Sequence, residues 1–141
     1  MSPAALTSLF DVRDDIVTAL RALTAEIPDL VVCERWTPTP TPPVLDVYPG
    51  NPFQTFAGMG AGANQVYWTV RARVGTADDA AAQDTLLRLL DPADLASVER
   101  ALEPLGVSIV EAGVTGYAEY ADDVPVNERL LGCQWRVTTF L

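Results

Sequence analysis

Apolar residues recur at steps of three and four near the start of the chain. Leu9, Val12, Ile16, Leu20, Leu23 and Ile27 form one stripe, with Asp11, Arg13, Asp14, Asp15 and Arg21 mostly off it. This spacing predicts an amphipathic helix. Ser2 can cap it, Pro3 suits its first position, and Pro28 ends it near Ile27. Leu30–Trp36 and Val44–Tyr48 read as short strands, centred on β-branched residues. The clearest strand is Asn64–Gly75, where Val66, Trp68, Val70, Ala72 and Val74 alternate with Tyr67, Thr69, Arg71 and Arg73. The first set is expected to face a core and the second to face solvent or a partner.

Helical spacing returns at Thr76–Leu90, with Asp78 and Asp79 suited to the first turn and Ala82, Leu86, Leu89 and Leu90 inward. Asp91-Pro92 predicts the start of a third helix carrying Leu95, Val98, Leu102 and Leu105, closed by Gly106. Two strands follow, over about 107–120 and 130–141, joined as an antiparallel hairpin. The reading is an α+β domain in the order α-β-β-β-α-α-β-β. Three helices pack on a mixed or mainly antiparallel sheet of four or five strands.

Two segments lack this patterning. Thr37–Pro43 holds four prolines in seven residues and reads as a stiff connector rather than as a ligand for another domain. Residues 49–63 form a long Gly- and Pro-rich stretch, expected to be a flexible loop. It carries Phe53, Phe56 and Met59, apolar side chains that either order against a partner such as a neighbouring subunit or, for Phe53 and Phe56, tuck back onto the chain's own sheet.

Length, charge and composition narrow the function. At 141 residues the chain is read as a single domain over 1–141. Its formal charge is −10; its nine basic residues are all Arg and it has no His. A Ser-His-Asp triad, a Cys-His pair and a His metal ligand are therefore excluded. The acidity argues against a dedicated nucleic-acid binder. No apolar run reaches membrane-spanning length and no basic leader opens the chain, so synthesis in the cytoplasm is expected.

Gly58, Gly60 and Ala63 match G-x-G-x-x-A, but they run into a strand where a dinucleotide loop must open a helix. Asp122, Asp123, Asn127 and Glu128 lack the spacing and central Gly of a calcium loop and read as a solvated tip. Asp14–Asp15 and Asp78–Asp79 are helix neighbours that point about 100° apart, so neither is a preset acid–base pair. Cys33 and Cys133 read as core or near-core thiols. No catalytic residue, cofactor site or metal site is expected, and the chain is read as not being an enzyme. Arg71, Arg73 and Arg136 share a face. They pair either with cross-strand acids such as Glu111 or with an acidic neighbouring subunit.

An ordered set of segments carries a resemblance. A strand runs into the corner Val44-Leu45-Asp46-Val47-Tyr48-Pro49-Gly50, and a Gly-rich loop enters the aromatic strand Asn64–Arg71. D-x-x-A-Q-x-x-L-x-x-L-L-D-P spans Asp79–Pro92, S-V-x-x-A-L spans Ser97–Leu102, and Gly116-Tyr117 lies in the last hairpin. Over about residues 28–141 the chain resembles the small tail terminator proteins of long-tailed bacteriophages of actinobacterial hosts. The resemblance implies a virion protein, without catalysis, at the head-proximal end of the tail. A homo-hexameric ring stops polymerisation of the major tail (tube) protein and docks a head-side connector protein. DNA passes through the ring without specific binding, which an acidic chain suits. Phe53, Phe56, Met59, Arg71 and Arg73 are the candidate contacts to a neighbouring subunit or the tube. The alternatives are a head-side neck (head-closure) protein and, from another class, a small α+β enzyme or ligand-binding domain using carboxylates.

Overall fold

The computed structural model describes residues 8–35, 43–55, 65–76, 79–115 and 130–140. The first helix, α1, is Leu9–Arg21, and a 3-10 turn at Ala22–Ala25 continues it. Its cap is Ser8, whose hydroxyl accepts from the Phe10 N–H at 3.1 Å. The helix thus starts later than the Ser2-Pro3 signal suggested, and those two residues lie outside the described ones. The expected stripe is the buried one, led by Ile16, Leu20, Leu23 and Ile27.

Strand β1 is only Val31–Cys33, shorter than the expected Leu30–Trp36. It pairs in parallel with the first three residues of β2, Val44–Thr55, and bends away at Glu34. Strand β2 pairs antiparallel with β3, Gln65–Thr76. Helix α2, Ala80–Leu90, is capped by Asp79, whose carboxylate accepts from the Ala81 N–H at 2.9 Å. Gly75 lets α2 fold tightly back onto β3. Its φ is +151°, and a Cβ there would meet the Ala82 Cβ at 2.8 Å.

Helix α3 is Val98–Leu102, capped by Ser97 and not by Asp91. The physical reason lies in the two aspartates before it. Asp91 accepts from the Ala93 N–H at 2.9 Å and Asp94 from the Ala96 N–H at 2.8 Å. Such side-chain turns compete with the helix and delay it. Leu95, expected inside, is consequently exposed. Strand β4, Ser108–Thr115, pairs antiparallel with β5, Leu130–Phe140, as the expected hairpin partners.

The described strands form one mixed sheet in the order β1-β2-β3-β5-β4, so the architecture is α+β with three helices on a sheet. Ile16, Leu20, Leu86, Leu89 and Leu102 from the helices share one core with Val66, Trp68, Val70, Trp135 and Val137 from the strands. Each strand residue in that core comes from the face that alternation marked as apolar. No described helix packs on the other face.

Candidate functional site

The opposite face of the sheet is polar and, at its centre, dry. Alternation sends Asp46 and Tyr48 of β2, Tyr67, Thr69, Arg71 and Arg73 of β3, and Gln134 and Arg136 of β5 to this side. Register sets Asp46 directly opposite Arg71, and Arg71 opposite Gln134. Asp46 is 0% exposed, Arg73 5% and Arg71 9%. Asp46 Oδ2 accepts from Arg71 Nη2 at 2.9 Å and from Arg73 Nη2 at 2.8 Å; Oδ1 accepts from Arg71 Nε at 3.4 Å.

This arrangement corrects the expectation that Arg71 and Arg73 face solvent or a partner. Within one chain they are buried, and the alternative reading, pairing with cross-strand acids, is the one seen: Asp46 lies opposite Arg71, and Glu111 lies opposite Arg136. Burial of a guanidinium needs a carboxylate at hydrogen-bond distance, because an unpaired buried charge is costly. The signal lay in the sequence: Asp46 is a lone acid inside the apolar run Val44-Leu45-Asp46-Val47. Aromatic rings extend the network. The Arg71 guanidinium lies 5.4 Å from the centre of the Tyr48 ring, and that of Arg136 lies 4.5 Å from the Tyr67 ring. Gln134 Nε2 donates to the Tyr48 hydroxyl at 3.5 Å.

A second feature is a cleft of about 390 Å³ where the start of α1 crosses the sheet. Leu9, Phe10, Arg13, Pro49, Phe53 and Trp68 line it, with Glu34 and Arg35 from the end of β1 at its rim. Phe53 stands edge-on to Trp68, with ring centres 5.2 Å apart and planes at 86°. Trp68 is buried, and its indole N–H has no hydrogen-bond acceptor among the described residues.

The flexible-loop expectation is corrected over 49–55, where Phe53 packs on the chain's own sheet, while 56–63 lie outside the described residues. Residues 49–55 continue β2, and a register shift between Pro49 and Gln54 absorbs the two prolines. Phe53 is therefore half-buried against the core, not presented on a loop. Phe56 and Met59 lie outside the described residues, as do the prolines at 38, 40 and 42 and the acidic tip at 122–128.

The third feature is at the far end of the helix layer. Arg88 of α2 lies 3.6 Å from Glu26 Oε2 and 3.4 Å from Asp94 Oδ2, and its Nη1 donates to the Glu26 carbonyl at 3.3 Å. Asp94 is held below the ordinary carboxylate range, first by the Ala96 N–H it accepts from and then by Arg88. Leu87 and Leu95 stand exposed on either side of this cluster in sequence.

Among the described residues no three His, Cys, Asp or Glu side chains gather into a metal-binding group. No described helix is long and apolar enough to cross a membrane. Cys133 is buried and Cys33 half-buried, and neither is in a disulfide. Among the described residues the surface presents an apolar cleft, exposed leucines and arginine–aromatic contacts. No protein-family model and no curated protein sequence matches the chain.

Proposed function

We propose that the chain is a structural protein of a phage tail: a tail terminator that caps the head-proximal end of the tail tube as a hexameric ring. The observation that carries the reading is the ordered set of segments resembling such terminators. Those segments fall on consecutive core elements: Val44–Gly50 on β2, Gln65–Arg71 on β3, Ala80–Leu90 on α2 and Val98–Leu102 on α3. They are joined in one sheet-and-helix core. In this role the chain has no catalytic step. Its partners are its own copies, the major tail protein and a head-side connector, and its location is the virion. The formal charge of −10 keeps a DNA conduit from holding its cargo.

The test is tube capping. Purified protein is added while tail-tube subunits polymerise, and tube lengths and ends are imaged by electron microscopy. The expected outcome is arrested growth, with a ring on one end of each tube. Uncapped tubes that elongate at the control rate overturn the reading. Binding to the head connector but not to the tube reassigns the protein to the head side of the neck.

A further inference from the structure

Two hollows beside α1 differ in charge. At the cleft near its start each arginine has its own acid: Arg13 lies 3.8 Å from Asp14, and Arg35 lies 3.2 Å from Glu34. A second hollow, of about 310 Å³, opens between α1, the end of the 3-10 turn Glu103–Leu105 and the end of β5. None of its described lining residues is basic. Asp15 lines it, is exposed, and has no ion pair among the described residues. Asp11, one turn earlier on α1, is exposed and lacks a described ion pair in the same way. The second hollow is therefore negative where the first is balanced.

One side of this hollow is polar and unsatisfied. Alternation along β5 sends Thr139 to the same face as Trp135 and Val137, toward the helices. Thr139 is 8% exposed, and its hydroxyl oxygen has no hydrogen-bond partner among the described residues. A buried hydroxyl left without a partner is destabilising, and a ligand that bonds to it removes that cost. The other walls are apolar. Val12 and Ile16 come from α1, and Leu105 and Val107 flank Gly106. Gly106 keeps its side of the hollow open: its φ is +70°, and a Cβ there would meet no atom within 4 Å.

A carboxylate repels anions, and a hydroxyl without a partner can accept from an N–H donor. Together they select a cation that carries N–H groups. Aliphatic walls select an apolar body behind that charge. We infer that this hollow binds a small organic ammonium ion. The ammonium donates to the Asp15 carboxylate and to Thr139 Oγ1, and the apolar body rests on Val12, Ile16, Leu105 and Val107. The chain contains no Lys, so a second copy cannot supply that ammonium. The inference does not depend on the tail-terminator reading.

Cyclohexylmethylamine, charged at neutral pH, is the probe, and cyclohexylmethanol has the same body without the charge. Amide chemical shifts of the isotope-labelled protein follow each titration at low salt. The amine is expected to bind with a dissociation constant of about 1 mM, within reach of so few heavy atoms, and to shift the Gly106, Val107 and Thr139 amides. The alcohol binds about fivefold more weakly, the loss expected for one exposed ion pair. Added salt weakens the amine and not the alcohol. Asp15 is exposed, so Asp15→Asn keeps the parent's melting temperature and brings the amine down to the level of the alcohol. Thr139→Val replaces the unpartnered hydroxyl by a methyl group of the same shape, keeps the fold, and weakens the amine as well. An amine that binds no tighter than the alcohol overturns the inference. So do shifts that map away from the hollow, or either variant binding the amine like the parent. Nα-acetyl-lysine N-methylamide carries the same ammonium on a peptide backbone. If it binds as tightly as the free amine, the small-molecule assignment falls and the occupant is a lysine side chain of another protein.

Discussion

Two clusters in this protein have opposite compositions at different depths. On the polar face of the sheet one carboxylate, Asp46, holds two guanidinium groups, Arg71 and Arg73. At the end of the helix layer one guanidinium, Arg88, faces two carboxylates, Glu26 and Asp94. The inner contacts are 2.9 and 2.8 Å and the outer ones 3.6 and 3.4 Å. Water accounts for the difference in consequence. In the outer cluster solvent screens the charges and replaces any partner that leaves. In the inner cluster little water is at hand, so each group depends on the others. The inner cluster is therefore brittle to single substitutions, and the outer one is tolerant of them.

The largest expected effect tests that brittleness. Asp46→Ala removes the buried carboxylate that both guanidinium groups share. The cost is about 3–5 kcal/mol, the range for removing one partner of a buried pair. The urea midpoint should fall accordingly with the slope of the transition unchanged. A loss below about 1 kcal/mol would mean that water already solvates these arginines, and the contrast between the clusters would collapse.

Much of the fold was legible, because strand alternation and helical stripes are local and long. Val66, Trp68, Val70, Ala72 and Val74 were read as core and are all buried. Alternation names a face, however, and does not say whether that face is wet. The depth of Arg71 and Arg73 depends on Asp46, 25 and 27 residues away, which the spacing along one strand cannot reveal. Pro49 and Pro52 suggested a loop, yet β2 runs on to Thr55. Strand β1 stops at Cys33, so among the described residues β2 is an edge from Val47 onward, where a missing N–H costs no ladder bond. Caps were misplaced because Ser, Asp and Pro carry the same short-range signal at several nearby positions. Ser8 caps α1, with Ser2 outside the described residues, and Ser97 rather than Asp91 caps α3. The cleft was not legible, since α1, the two residues after β1, β2 and β3 each supply part of it.

The outer cluster sharpens the comparison from the other side. Arg88→Ala removes two ion pairs and one donor to a backbone carbonyl, yet the expected cost is about 1 kcal/mol or less. Adding salt should shrink the difference from the parent, because these charges are within reach of mobile ions. Denaturant unfolding at low and high salt measures it. A cost of several kcal/mol, unmoved by salt, would place Arg88 with the buried arginines and erase the distinction drawn from exposure.

The smallest effect is a pH dependence, and its sign follows from Asp94. The Ala96 N–H and then Arg88 favour its charged form, so its folded pKa lies below the unfolded value. A carboxylate depressed in this way contributes stability above its unfolded pKa, about 3.9 for Asp. That contribution is lost as pH falls through the folded value. Asp94→Asn keeps a side-chain oxygen for the Ala96 N–H but removes the charge. The variant should be slightly less stable than the parent near neutral pH, by an amount constant down to about pH 5. Below that the gap should narrow, because the parent's carboxyl becomes neutral like the amide. Paired urea titrations from neutral to acid pH follow the gap directly. A gap that stays constant into strong acid would show that Asp94 acts through shape alone. One that widens would show that its charge is opposed, not held, by its surroundings.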